Sequence, residues 1–171
     1  NPLGHKKSDS TFVFVTPREW TGADAWIAAN QSGWKKLVVY TAVELEVWIE
    51  KCPAVGMWLA SKLNVLSAGG YQLPDAFWMK WASGDRCTLP YQIVTAGRNQ
   101  VIDKVLKACL NPSILEIQAL TQSEAIAFVL ASIATSSDAN EIMARTIVVT
   151  DKNTFDDLAS HYANLIIVTS L

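Results

Sequence analysis

The chain has 171 residues, half of them hydrophobic and 18% charged, with a formal net charge of −2. That length and apolar content can bury a substantial core and exclude a disordered chain. The near-neutral charge excludes attraction to nucleic acid spread over the whole surface, which requires clustered Lys and Arg. Cys52, Cys87 and Cys109 are odd in number, widely spaced and set among apolar neighbours. They read as reduced thiols of a cytoplasmic protein, not as a disulfide frame or a metal site. No apolar run approaches the roughly 18 residues needed to cross a bilayer, so no membrane partner is expected. The chain opens at Asn1-Pro2 without a methionine or a leader and stops within the strand-like run Leu165 to Leu171, so we expect a segment of a longer polypeptide.

In chain order, residues 1–10 are a polar lead-in. Thr11-Phe12-Val13-Phe14-Val15-Thr16 predicts a strand stopped by Pro17, and its apolar residues on both faces predict a central position in a sheet. A helix is expected from Trp20 to Ser32, with Trp26 and Ile27 inward and Gly33 closing it. Lys36-Leu37-Val38-Val39-Tyr40 is a second strand. Thr41-Ala42-Val43-Glu44 is a capping box that starts a helix through about Lys51, with Val43, Val47 and Trp48 expected to face the core. Pro53 suits the first position of a further helix, whose apolar stripe is Val55, Trp58, Leu59 and Leu63. Residues 64–74, with Gly69-Gly70 and Pro74, read as a linker. Asp75 to Trp81 follows as a short aromatic helix ending near Gly84, its tryptophans expected to clamp the two halves of the chain together.

Gly97-Arg98-Asn99 opens a helix with Val101, Ile102, Val105, Leu106, Cys109 and Leu110 at helical spacing. Ser113 to Leu120 reads as a buried strand. Thr121-Gln122-Ser123-Glu124 is a second capping box, and the helix from Glu124 to Ala134 is apolar almost all round, which predicts burial on more than one side. Strands at Ala144 to Thr150 and Asn164 to Thr169 flank a helix at Thr154 to Tyr162. Strand and helix in short alternation predict a parallel sheet with right-handed crossovers. The organisation expected is an α/β unit over 1–66, a linker with an aromatic helix over 67–95, and a second α/β unit over 96–171.

The strand, turn and helix around residues 113–130 form the layout in which many α/β proteins seat a phosphate, because free N–H groups point outward at the helix start. Arg98, Thr121 and Ser123 are the candidate phosphate ligands. The turn holds no glycine and no lysine, and Glu124 puts a negative charge where an anion would sit. The reading is therefore a capped helix, and no cofactor is expected. Arg18, after the first strand, and Lys35-Lys36, before the second, are the candidate contacts to a duplex DNA backbone, since neighbouring strand ends can share one rim of a sheet. His5 and His161 belong to no ligand-spaced pattern, and Asp156-Asp157 point in different directions on a helix. No catalytic residue and no metal ligand is assigned.

Four stretches carry a family resemblance: Phe12 to Trp20, Trp34 to Tyr40, Leu45 to Glu50 and Pro53 to Leu59. They resemble a segment of large bacterial proteins that couple an N-terminal restriction-endonuclease-like (Mrr-like) domain to a STAND-type NTPase region and are associated with defence against phage. Ala96-Gly97-Arg98-Asn99 is similar to the Gly-Arg that precedes the nucleotide fold in those ATPases. The resemblance implies a chain that begins just after the nuclease core, its metal-binding residues lying upstream. It also implies a C-terminal parallel-sheet unit like a degenerate P-loop fold, with Ile114 to Leu120 as first strand and Thr121-Gln122-Ser123 in place of the glycine-lysine loop. The function it implies is a non-catalytic scaffold or coupling region. The alternatives are a DNA-contacting part of a metal-dependent nuclease and a nucleotide-sensing module at Thr121. The partners expected are neighbouring domains of the same polypeptide, duplex DNA and a second copy of the chain.

Overall fold

Branched and aromatic side chains at 11–15 and 36–40 favour extended backbone. The computed structural model, which describes residues 4, 6–65, 69–83 and 87–171, forms β1 (Thr11–Val15) and β2 (Lys36–Tyr40) there. The chain divides into two compact units, Asn1–Glu50 and Lys51–Leu171.

In the first unit β1 and β2 pair in parallel, from Thr11 opposite Lys36 to Val15 opposite Tyr40. Their crossover is α1 (Ala23–Asn30), after which Gly33 turns the chain at φ +84°, a conformation that favours glycine. Phe12 and Phe14 share one face of the pair. Phe12 packs on Trp34 at 5.1 Å between ring centroids, and Phe14 on Trp20 and Trp26 at 5.7 and 5.9 Å. The expectation of a central β1 is corrected: among the described residues it pairs with β2 alone, and Val13, Phe14 and Val15 are exposed. The helix α2 (Ala42–Lys51) starts where its capping box predicts, but no residue on it is buried, so Val43, Val47 and Trp48 do not face a core. An apolar stripe says which face can be covered and not that anything covers it. Trp48 packs on Tyr40, 4.4 Å between ring centroids.

The second unit is built on a three-stranded sheet in the order β3-β4-β5. β4 (Thr146–Val149) is buried at every residue and runs parallel to β5 (Ile166–Thr169). On its other side β3 (Tyr71–Gln72), inside the stretch read as a linker, pairs with it antiparallel, Tyr71 opposite Val149 and Gln72 opposite Val148. The sheet is therefore mixed, a correction to the expected parallel one. Alternate residues of β4 feed two cores, as a strand's period of two requires. Ile147 and Val149 pack with Ala54, Met57 and Leu158, from α3 (Pro53–Lys62) and α9 (Lys152–His161). Val148 and Val168 pack with Ile126 and Leu130 of α7 (Gln122–Ala134). The face α3 buries is Pro53, Ala54 and Met57, and the predicted stripe of Val55, Trp58, Leu59 and Leu63 points outward. A small residue such as Ala54 lets the helix backbone approach the sheet, where the bulkier stripe would not fit.

Between β3 and α7 lie α4 (Pro74–Ala82), α5 (Tyr91–Thr95) and α6 (Asn99–Leu110), and α8 (Ala139–Met143) leads into β4. Burial of α7 on several sides is observed: it packs against α4, α5, α6, α8 and β5. Trp78 of α4 is buried against Tyr91 of α5, 4.1 Å between centroids, and against Ala127 and Ala131 of α7. The aromatic helix thus joins helices of one unit. Its predicted end at Gly84, residues 66–68 of the predicted linker, and His5 lie outside the described residues.

The largest correction concerns residues 113–120. The predicted strand is not formed. Ser113–Ala119 has no regular secondary structure and, among the described residues, no backbone hydrogen bond to a strand. Ile114 and Leu120 are 101% and 95% exposed. Leu115, Ile117 and Ala119 alternate with Glu116 and Gln118 as in a strand, but a strand exists only as half of a pair, and here the other half is not engaged.

Candidate functional site

The turn at the start of α7 was the leading candidate for a ligand. Thr121 Oγ1 accepts a hydrogen bond from the Glu124 backbone N–H at 3.1 Å and lies 3.3 Å from Ser123 Oγ, while the Gln122 side chain donates to the Ser170 carbonyl at 3.1 Å. The hydroxyl that would meet a phosphate already caps the helix. Arg98 is not part of this group. It precedes α6 and holds its guanidinium 5.5 Å from the centre of the Phe128 ring, a cation–π contact. Phe128 lies seven residues past Thr121, about 10 Å along the helix. The structure brings Thr121 and Ser123 together and leaves Arg98 two turns away.

The two Thr-x-x-Glu boxes form different halves of the same motif. At α7 the threonine accepts from the glutamate's N–H. At α2 the Glu44 carboxylate reaches back to the Thr41 N–H at 2.7 Å and also accepts from the Thr41 hydroxyl. Those two bonds, the hydroxyl first, hold the Glu44 carboxyl below its ordinary pKa. A third cap was missed in the sequence. Asp151 accepts from the Thr154 N–H at 2.9 Å and starts α9 at Lys152, and that bond, followed by the Thr154 hydroxyl, holds its carboxyl low. The D-x-x-T spacing was the available signal. Gly70, with φ +80°, lies so close to this cap that a Cβ there would collide with the Asp151 and Thr154 side chains.

The three basic candidates are exposed but do not share a rim. In a parallel pair, Arg18 follows the carboxyl end of β1, where its carbonyl accepts from the Ala42 N–H. Lys36 stands opposite Thr11 at the amino end. Four residue steps separate the two ends of the pair, about 13 Å. At the amino end the structure gathers different company: the Lys35 N–H bonds the Lys7 carbonyl at 3.1 Å, and the Lys7 ammonium lies 5.2 Å from the Trp34 ring centre.

Elsewhere the chemistry is sparse. Burial pushes the Cys109 thiol up, against the opposing charge of Arg145, so it is held as a thiol and not a nucleophilic thiolate. His161 lies 3.4 Å from Asp157, both exposed on α9. Among the described residues no three His, Cys, Asp or Glu side chains gather closely enough to hold a metal ion, and no helix is long and apolar enough to cross a membrane. A groove of about 390 Å³ opens between α3, the start of α4 and α8. Its walls include Ala54, Val55, Trp58, Leu73, Pro74 and Met143, with Asp75 and Asn140 as polar groups. No sequence pattern marked it, because its lining comes from three separate helices. Compared with protein-family models, curated proteins and solved structures, the chain matches none.

Proposed function

We propose that this chain is a non-catalytic coupling region of a bacterial defence or restriction-type protein, which holds a nuclease domain and relays the state of a neighbouring domain to it. The observation that supports this reading most is apolar surface presented on regular helices. α2 exposes Val43, Val47 and Trp48, and α3 exposes Val55, Trp58, Leu59 and Leu63. Apolar and tryptophan-bearing surface of this kind serves protein contact. The resemblance of Phe12 to Leu59 to a segment of Mrr-like and STAND-type proteins supplies the neighbours. In bacteria carrying the intact protein, Val47→Asp and Trp58→Asp should each abolish protection against phage. Both sites are exposed, so the purified variants should keep their stability within about 0.5 kcal/mol. Full protection by both variants would overturn the reading.

A second reading has its own support in the lysines at the amino end of the β1–β2 pair. In a metal-dependent nuclease, Lys7, Lys35 and Lys36, which lie near one another in the backbone at that end, would meet a duplex backbone, and Arg18, at the other end, would not. In a gel-shift assay the triple alanine variant should bind duplex DNA more weakly and with a shallower salt dependence, while Arg18→Ala leaves binding unchanged. Equal weak binding by all three proteins would remove this reading.

A further inference from the structure

Residues 113–120 combine a strand-like alternation of Leu115, Ile117 and Ala119 with Glu116 and Gln118, exposed Ile114 and Leu120, and, among the described residues, a backbone without a strand partner. β5 has the complementary feature. Among the described residues it pairs only with β4, although Ile166, Ile167 and Val168 make it apolar on both faces, as parallel strands inside a sheet are.

Chain topology says where the segment belongs. α9, the crossover from β4 to β5, packs on the Ile147 and Val149 face of the sheet, and α7 packs on the opposite face, against Val148 and Val168. Crossovers between parallel strands are right-handed almost without exception. If the helix on one face carries the chain from β4 outward to β5, a right-handed crossover on the other face must carry it inward to β4 from that same side. A parallel strand preceding α7 therefore lies beyond β5, not beside β3. The start of α7, two residues past the segment, is already there, since the Gln122 side chain bonds the Ser170 carbonyl just past the carboxyl end of β5.

From this geometry we infer that Ser113–Leu120 is a strap that closes on the free edge of β5 as a fourth strand, parallel to it. The inference is independent of the functional reading above. The register proposed sets Leu120 beside Ser170, which puts Ile117 opposite Ile167 and Ala119 opposite Thr169. Opposed residues of paired strands point to the same face, so Leu115, Ile117 and Ala119 join the side on which Ile167 packs with the Ile147 core. Closure covers an open sheet edge, which is otherwise a template for unwanted pairing.

Two measurements on the whole chain test this. Amide exchange of Leu115 to Ala119 should be slowed at least about tenfold relative to an unstructured peptide, and Ile117→Pro should remove that protection. In a background with Cys52, Cys87 and Cys109 changed to serine, the pair Ala119→Cys and Thr169→Cys should be joined within one chain by a short thiol cross-linker. Exchange at the unstructured rate overturns the inference. Protection without the cross-link, or a cross-link formed only between two chains, also overturns it by placing the strand on another edge.

Discussion

The two units of this chain use the same local vocabulary with different results. In Asn1–Glu50 a strand, a helix, a strand and a capped helix leave Leu37 as the buried hydrophobic residue among those described. In Lys51–Leu171 a sheet covered on both faces buries all of β4 and seven residues of α7, among them Leu130, Ala131 and Ile133 at 0% exposure. Both α2 and α7 begin at a Thr-x-x-Glu box. A cap sets where a helix starts, and burial is decided by whether an opposing surface arrives. Stability should therefore be concentrated in the second unit, and the first should spend its apolar side chains on surface.

The strongest way to break that contrast is Leu130→Ala. Removing a fully buried leucine between α7 and the sheet should cost about 3–5 kcal/mol in urea unfolding of the second unit, whereas Val47→Ala on exposed α2 should stay within about 0.5 kcal/mol. A comparable loss at both positions would mean that α2 buries a core after all. Gly70→Ala comes next. The positive φ and the collision with the Asp151–Thr154 cap should together destabilise the second unit by more than about 1 kcal/mol, and an unchanged midpoint would contradict the close packing of β3 on α9. Thr121→Ala removes the side-chain bond that caps the start of α7 and should cost about 1 kcal/mol.

The smallest effect is acidic. Glu44 and Asp151 are both held low by hydrogen bonds, so each stabilises the folded chain above the ordinary carboxyl pKa of about 4. That contribution is lost as pH falls from there through the lowered folded value. Glu44→Gln with Asp151→Asn should make the fall of Tm shallower below about pH 5. An identical acid limb in wild type and double variant would show that these caps do not titrate with folding.

Much of the fold was legible because its signals are local. The strand at Lys36–Tyr40, the proline-initiated helix at Pro53, the spacing of Ile102, Val105, Leu106 and Cys109, and the all-round apolar α7 are each read within one turn or one strand. What failed depended on a distant partner. Val55, Trp58 and Leu59 looked like a core stripe, but Ala54 and Met57 meet the sheet. Tyr71–Gln72 lay among turn residues and became a strand only because β4 offered an edge. Ile114 to Leu120 read as a strand from the alternation of Leu115, Ile117 and Ala119 with Glu116 and Gln118, and has no partner strand among the described residues. The candidate site divided the same way: Thr121 and Ser123 are neighbours in sequence and in space, whereas Arg98 and Arg18 were assigned to groups that the helix lengths and the strand register keep apart.

The account rests on a helix start whose hydrogen-bonding groups serve the chain itself, in a body for which we propose a coupling role. Titration calorimetry with magnesium-ATP tests that most directly. Wild type and Thr121→Ala should both give no saturable heat at millimolar nucleotide; a saturable heat in wild type that disappears in Thr121→Ala would show a working nucleotide site and contradict the coupling role.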